Sequence, residues 1–283
     1  MRLSRPARLA LAAFMLLGLV VVYVPLGVVL ISSFSPDKTF GWPPSGFTLS
    51  WWGKAWDNEG ARAALVTSVK AALGATALAL VLGTMASFAV ARYRFFGREA
   101  VSILLVLPIA LPGIVTGIAL SNAITTTLAP VGINFGLFTV VVGHATFCVV
   151  VVYNNVLARL RRTGGSLEEA SMDLGAGVFQ TFRHVTFPQL RSALVAGALL
   201  AFALSFDEVI VTTFTAGGEE TLPIWILANL SRPNQLPIVN VVAFFVILLS
   251  IIPVYVAQRI TADPVTSAAP GGGGDKVAAA PVP

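Results

Sequence analysis

Two adjacent carboxylates, Asp207 and Glu208, lie inside an apolar run at residues 193–214. At a rise of about 1.5 Å per residue, Asp207 would lie about 21 Å into a helix that begins with this run, past the midplane of a bilayer. A charged group at that depth usually faces a water-filled path or a partner of opposite charge. Within the chain, only Lys70 lies in another apolar run and could be that partner; a cation of a neighbouring subunit is the other alternative. We favour a solute path in which these acids attract a cation.

The other reactive side chains form no recognisable catalytic or metal site. His144 and Cys148 are four residues apart and would share a helix face, but a zinc site needs more ligands, so we expect a packed polar pair. Ser205 has no histidine nearby in the sequence, which disfavours an intramembrane hydrolase. No P-loop motif occurs, so the chain is not expected to bind ATP itself. The sequence therefore predicts no catalytic residue, no metal and no bound cofactor.

A polar island at residues 163–191 separates two apolar runs and predicts two short helices that meet at Gly175. Ser166 and Glu169 have the spacing of a capping box, which places a helix start near residue 167. Gly175 can adopt the left-handed conformation that closes a helix, and Pro188 is expected to end the second helix. The product is a helical elbow whose apolar side suits docking into a groove of a partner. That side would consist of Leu167, Ala170, Leu174, Val178, Phe179, Phe182 and Val185.

The composition is that of an integral membrane protein. Of 283 residues, 56% are hydrophobic and 11% are charged, and the mean hydropathy is +0.85. Six apolar runs approach or exceed the ~20 residues that a transmembrane helix needs. They cover residues 9–31, 63–91, 101–120, 137–157, 193–214 and 239–257. We predict an all-α protein with six transmembrane helices.

The runs also suggest how the chain is divided. Residues 1–32 would form an uncleaved first helix, and 33–60 an extracytoplasmic loop whose tryptophans lie at the headgroup level. A core at 61–257 would follow, with a tail at 258–283 that has too little apolar surface to fold. Pro108, Pro112 and Gly113 predict a kink in the third run, which could line a pathway or could reflect packing alone.

The distribution of positive charge predicts the orientation. Thirteen lysines and arginines lie at the two termini, at residues 92–98 and around the elbow, whereas four lie on the opposite loops. Positive charge is enriched on the cytoplasmic side, so both termini and the elbow should be cytoplasmic. The net charge of +5 follows this pattern and does not indicate nucleic-acid binding.

The elbow resembles the cytoplasmic signature, or EAA motif, of permease subunits of bacterial ABC importers. That motif reads E-A-A, three residues, G, nine residues, and I-x-L-P. Glu169, Ala170, Gly175 and Pro188 match it outright, and Ser171, Val185 and Phe187 are conservative departures.

A second group of residues is similar to permeases of the spermidine/putrescine type. It includes Ser205-Phe206-Asp207-Glu208, residues 212–214, Thr221-Leu222-Pro223, and the run from Arg92 to Arg98. The Ser-Phe-Asp-Glu run also occurs in permeases for other small solutes, which remain the alternative. Carboxylates are nonetheless the natural counter-charge for a polyamine.

The resemblance implies a type I ABC importer permease fold with cytoplasmic coupling helices in a bacterial cell membrane. It implies a second permease subunit, a cytoplasmic ABC ATPase dimer that binds ATP and Mg, and an extracytoplasmic substrate-binding protein. Glu169, Ala170, Ser171, Gly175, Val185 and Pro188 would couple to the ATPase, and Asp207 and Glu208 would meet the solute. The permease itself would not be an enzyme. A secondary transporter, which would need no partner, is the less favoured class.

Overall fold

The computed structural model describes residues 4–261 except residues 40 and 233, and its regular structure is helical. The α-helices are α1 (Arg5–Ser32), α2 (Ser50–Trp56), α3 (Glu59–Arg92), α4 (Arg98–Ala110), α5 (Gly113–Ala123), α6 (Leu137–Thr163), α7 (Ser166–Asp173), α8 (Val178–Thr181), α9 (Phe187–Phe206), α10 (Ile210–Thr215), α11 (Leu222–Leu230) and α12 (Leu236–Thr261). Two π-helical turns, Ile124–Leu128 and Phe182–Thr186, and a 3₁₀ turn, Ala129–Val131, connect neighbouring helices. Most of the predicted tail, residues 262–283, lies outside the described residues.

Within the described part of the chain, five helical segments are long and apolar enough to cross a bilayer. They are Arg5–Ser32, Glu59–Arg92, Gly113–Val131, Leu137–Thr163 and Val178–Phe206. A shorter apolar helical stretch, Leu236–Ile252, corresponds to the sixth predicted run. The predicted class of all-α membrane protein is confirmed.

The bounds of the third predicted span are wrong. Residues 101–120 are divided between α4 and α5, because Leu111 is extended and Pro112 precedes the first residue of α5. The break agrees with the predicted kink, since proline disfavours a helical conformation in the residue before it. The segment that could cross the bilayer here is therefore Gly113–Val131.

α3, α6 and α9 form the centre of the fold and pack extensively against one another. α3 contributes a buried stripe of small side chains, which lets the helix backbones approach closely. The stripe consists of Ala64, Ser68, Ala71, Ala72, Ala75, Ala79, Gly83 and Ser87. Close packing replaces the hydrophobic effect as the main attraction between helices in lipid, so this stripe explains why α3 lies at the centre.

The backbones of α3 and α6 approach each other closely at Gly83. A Cβ atom at this position would lie 3.0 Å from both the Val149 carbonyl oxygen and the Val152 Cβ atom. One turn later, the Ser87 hydroxyl lies 2.7 Å from the Gly83 carbonyl oxygen and 3.0 Å from the Tyr153 carbonyl oxygen. The crossing thus combines backbone contact with an interhelical hydrogen bond.

The loop after α1 is anchored to the protein by Trp52 of α2. The indole N–H donates to the Ser33 carbonyl oxygen over 3.1 Å. The Trp52 ring also packs against Phe244 and Phe245 of α12, with centroid separations of 5.5 and 5.4 Å. Trp52 therefore joins the end of α1 to α12, and most of α1 remains exposed.

Asp37 closes the outer part of the same loop. Its carboxylate accepts hydrogen bonds from the Ser45 hydroxyl, from the Ser45 N–H over 3.0 Å and from the Ser35 hydroxyl over 2.9 Å. These bonds, those from Ser45 first, lower the pKa of the Asp37 carboxyl from its ordinary value. Their contribution to stability is present at neutral pH and is lost as the pH falls through the lowered pKa.

Gly83→Val should destabilise the fold. The added side chain meets the backbone of α6, which cannot rotate away, and overpacking of this kind costs about 1–3 kcal/mol. We expect a lower free energy of unfolding in detergent, measured by reversible denaturation with circular dichroism. Gly18→Val is the matched control, since nothing lies within 4 Å of a Cβ there. Equal stability of the two variants would contradict the proposed crossing.

Candidate coupling and solute-path sites

The first leg of the elbow is α7, which ends at Gly175 as predicted. Gly175 has φ +87°, in the left-handed region. Its N–H bonds to the Met172 carbonyl oxygen over 2.9 Å, and the Ala176 N–H bonds to that of Ser171 over 3.1 Å. These two bonds form a Schellman motif, whose left-handed residue is usually glycine. Gly175 therefore sets the sharp turn of the elbow.

The capping box predicted at the start of α7 is wrong. Gly165 occupies the N-cap position, and Ser166 is already helical, so no side chain caps this end. Glu168 and Glu169 lie in the first turn of α7, where unpaired backbone N–H groups attract negative charge.

The second leg does not end at Pro188, contrary to the prediction. α8, the π turn and α9 form one continuous helical segment, Val178–Phe206. In the π turn, the Phe187 N–H bonds to the Phe182 carbonyl oxygen five residues back. Pro188 then takes the second position of α9, where its missing N–H is tolerated. The elbow is thus joined without interruption to a membrane-spanning helix.

Glu168, which is not among the predicted coupling residues, holds the elbow to α3. Its carboxylate forms a two-pronged ion pair with Arg92, with both N–O distances 3.0 Å. Arg92 also donates to the Gly164 carbonyl oxygen over 2.9 Å, and the Thr186 hydroxyl donates to Glu168 over 3.1 Å. Glu168 therefore contacts both legs and the end of α3. Only its neighbour, Glu169, belongs to the motif that guided the prediction, and Glu169 is exposed.

A hydrogen bond between Ser171 and Thr181 closes the elbow. Their hydroxyl oxygens are 3.1 Å apart, which links α7 to α8. Val185 is half-buried in the π turn, whereas Ala170 and Pro188 are exposed. The predicted coupling residues therefore lie on one compact elbow, but they do not form a single contact cluster.

The predicted apolar side of the elbow is divided into an open part and a packed part. Leu174, Val178 and Phe179 are 89%, 79% and 71% exposed, respectively. Phe182 instead packs edge-on against Phe88 of α3, with a centroid separation of 6.0 Å. Between the elbow and α3 lies an open cleft of about 900 Å³. The open part is an apolar surface of the kind that marks interaction sites.

The two acids lie at a break that the sequence analysis did not predict. α9 ends at Phe206, and α10 begins at Ile210, so the run at 193–214 is not one helix. Glu208 caps α10: its carboxylate accepts from the Val211 N–H over 2.9 Å. Asp207 is exposed and lines a cavity of about 310 Å³ together with residues of α11 and α12. Only Asp207 is thus directed to open space.

Lys70, the predicted partner within the chain, is exposed on α3. No salt bridge joins Lys70 to Asp207 or Glu208 among the described residues. The alternative that the acids are neutralised by Lys70 is therefore wrong.

His144 and Cys148 do not form the expected polar pair. The fully buried His144 ring lies 2.7 Å from the Ser205 hydroxyl through Nδ1 and 2.8 Å from the Thr212 hydroxyl through Nε2. Cys148 donates to the Ala201 carbonyl oxygen over 3.3 Å. Both side chains therefore connect α6 to the segment that contains the acids. Their separation in sequence from Ser205 and Ala201 explains why the pattern gave no signal of these contacts.

The structure does bring a histidine to Ser205, although the sequence separates them. Ser205 and His144 are both buried, and the second ring nitrogen meets a hydroxyl where a hydrolase would place a carboxylate. This arrangement is a structural hydrogen bond network and supplies no accessible nucleophile.

Residues 79–263 match the family described as binding-protein-dependent transport system inner membrane component. The chain belongs to this family. It is a permease subunit of an ABC importer, and the less favoured secondary transporter is set aside.

Relatives and a solved structure agree with the assignment. The permease is 33% identical to the spermidine/putrescine transport system permease protein PotC of Haemophilus influenzae, over 88% of this chain and 95% of PotC. It is 31% identical to the putrescine transport system permease protein PotI of Escherichia coli K12, over 82% of this chain and 84% of PotI. A crystal structure of a bacterial ABC transporter involved in the import of the acidic polysaccharide alginate has a TM-score of 0.70 and 17% identity, covering 92% of this chain and 99% of that one. That structure supports the type I permease fold.

Glu168→Gln should loosen the elbow. The substitution removes a charge-assisted, partly buried pair worth about 1 kcal/mol or somewhat more, so backbone amides of α7 should exchange several-fold faster. Hydrogen exchange with mass spectrometry measures this directly. Glu169→Gln is the control: it removes the same charge from the first turn of α7 but no ion pair, so it should raise exchange much less. The same exchange rate in both variants would exclude the anchoring role of Glu168.

Proposed function

We propose that this permease carries a polyamine of the spermidine or putrescine kind and that Asp207 is the carboxylate that meets it. The observation that carries the proposal is the exposed Asp207 side chain at the α9–α10 break. A carboxylate in a low-dielectric passage is costly unless a cation visits it, and a polyamine is a string of ammonium groups. The names of the relatives PotC and PotI support the same solute class.

Glu208 is the less suitable solute ligand of the two. Its carboxylate already accepts a hydrogen bond from the Val211 N–H at the start of α10, where the helix dipole also favours negative charge. Removing it for solute binding would leave that end of α10 uncapped. Another small solute remains the alternative to a polyamine, and it would be favoured if Asp207 proved irrelevant to uptake.

We further propose that the elbow docks into a cytoplasmic ABC ATPase dimer. Leu174, Val178 and Phe179 would provide the apolar contact, and the motif residues Glu169 and Ala170 lie exposed on the same elbow. Gly175 and Ser171 would hold its turn, and Val185 and Pro188 its junction with α9. If the two ATPase states hold the elbow differently, that difference in contact tilts the permease between inward-open and outward-open forms.

The complete transporter would contain further components. We propose a second permease subunit, an extracytoplasmic substrate-binding protein, and ATP and Mg bound by the ATPase subunits. Both termini would be cytoplasmic, the loop at 33–60 extracytoplasmic, and residues 61–257 the permease core. The charge distribution supports this orientation, because thirteen lysines and arginines lie on the elbow side and four on the opposite loops.

Asp207→Asn should reduce polyamine transport without preventing assembly. The change keeps the shape of the side chain but removes the charge, so kcat/KM for spermidine uptake should fall at least about tenfold, equivalent to about 1.4 kcal/mol. Uptake is measured in proteoliposomes that contain the assembled transporter. Glu219→Gln, at an exposed acid beyond α10, is the control. Uptake by Asp207→Asn equal to that of the control would discard the solute-path role.

Glu169→Lys should uncouple ATP hydrolysis from uptake while the protein stays in the membrane. Glu169 is exposed, so reversing its charge alters the docking surface and not the fold. We expect uptake per ATP hydrolysed to fall about tenfold or more, because the two ATPase states would no longer hold the elbow differently. The control is Asp173→Lys, an exposed acid of the same helix at a position that the motif leaves unspecified. Uptake at the parent rate in Glu169→Lys would count against the docking role of the elbow.

A further inference from the structure

His144 connects three helices at the α9–α10 break. It lies on α6, and its two ring nitrogens contact Ser205 in the last turn of α9 and Thr212 in the first turn of α10. The ring is fully buried, so water cannot replace either partner. One imidazole therefore spans the break that separates the two helices and presents Asp207.

The hydrogen bonds of this network have a defined direction. The Thr212 hydroxyl donates its proton to the Glu208 carbonyl oxygen over 2.7 Å, so it accepts from His144 Nε2–H. A neutral imidazole with a proton on Nε2 accepts at Nδ1, and the Ser205 hydroxyl is its donor. The chain of bonds runs from Ser205 through His144 and Thr212 to the backbone of Glu208. It ends on the residue next to Asp207.

The same network lies far from the elbow on α6 and α9, the two long helices that flank it. α6 enters the elbow after Thr163, 19 residues beyond His144, and α9 leaves it at Phe187, 18 residues before Ser205. At about 1.5 Å per residue, the contact is about 27–29 Å from the elbow along both helices. One turn closer to the elbow, Cys148 on α6 donates to the Ala201 carbonyl oxygen on α9. Both contacts therefore link α6 to α9.

We propose that His144 is a positioning residue that clasps α9 and α10 to α6, so that movement of the elbow reaches the break beside Asp207. The proposal rests on the coupling role of the elbow. Without the clasp, α6 and α9 can slide past each other near the break. A movement of the elbow would then no longer displace the break. Because the clasp needs both hydroxyl partners, losing either one should have the same effect as losing both.

The experiment measures how the break responds to nucleotide, independently of which solute is carried. Val209→Cys places a thiol in the break, in a transporter assembled with its ATPase and partner permease. Cys148 is kept, because it is fully buried and its contact with Ala201 belongs to the same pair of helices. The labelling rate with a charged, membrane-impermeant maleimide is compared between the nucleotide-free and the ATP-trapped states. Ser205→Ala and Thr212→Val each remove one hydroxyl with little change in volume. Thr213→Val is the matched control, because its exposed hydroxyl bonds only to the Val209 carbonyl oxygen of its own turn among the described residues.

We expect nucleotide to change the labelling rate at least fivefold in the parent and in Thr213→Val. Ser205→Ala and Thr212→Val should each bring that ratio close to one, and the double variant should go no further. ATP hydrolysis and the amount of assembled complex should stay at the parent level, which a general loss of stability would not allow.

Three results would overturn the clasp. The first is a labelling rate that nucleotide does not change in the parent. The second is a full nucleotide response in Ser205→Ala or Thr212→Val. The third is a double variant whose loss of response equals the sum of the two single losses. The test also separates the clasp from the proposals above it. If Leu174→Asp leaves the ratio intact while Ser205→Ala abolishes it, the apolar docking contact at Leu174 fails, whereas the coupling role of the elbow and the clasp stand. The labelling measurement uses no solute, so its result would be the same if the permease did not transport a polyamine.

Discussion

The break between α9 and α10 is stable only if the backbone N–H and C=O groups that it frees form hydrogen bonds inside the protein. Lipid offers no hydrogen bonds, so an interrupted helix is tolerated only where protein or a wet cavity satisfies its ends. Here the Glu208 carboxylate satisfies the Val211 N–H, and the Thr212 hydroxyl satisfies the Glu208 carbonyl oxygen. With those groups engaged in holding the break, Asp207 is the acid left facing the cavity.

The same constraint explains the centre of the fold. Hydrophobic attraction does not hold helices together in lipid, so α3 relies on small side chains and on the close crossing at Gly83. α3 then extends to Arg92, which holds the elbow through Glu168. The elbow is thereby fixed on one side to the centre of the permease and continues on the other into α9. Its open apolar surface remains free for a partner, and the segment behind it leads to the acids.

Local features of this arrangement were predictable from the sequence. The apolar runs gave the membrane class, and Gly175 was identified as the turn because few other residues adopt its conformation at low cost. Predictions of helix ends were wrong where a neighbouring residue or turn changed the position that the predicted residue takes in the helix. Pro188 does not end its helix, because the preceding π turn places it where no N–H is needed. Ser166 is not a cap, because Gly165 occupies that position.

Contacts between distant residues were not predictable. His144 meets Ser205 and Thr212 across more than sixty positions, and no spacing rule covers such a distance. Glu168 pairs with Arg92 for the same reason, although the motif directed attention to its neighbour. These contacts depend on how three helices cross, which requires coordinates. The sequence therefore predicted the elements and the membrane class. The structure was needed to see that Glu168 forms an ion pair, that Glu208 caps α10 and that Asp207 lines a cavity.

A structure of the assembled transporter with its ATPase subunits and a bound polyamine would test directly whether Asp207 meets the solute and the elbow meets the ATPase. We predict an ammonium group within about 3 Å of the Asp207 carboxylate, a normal charge-assisted distance. We also predict that Leu174 and Phe179 are buried against the ATPase. A solute bound away from Asp207, or an elbow exposed on the extracytoplasmic side, would contradict these predictions.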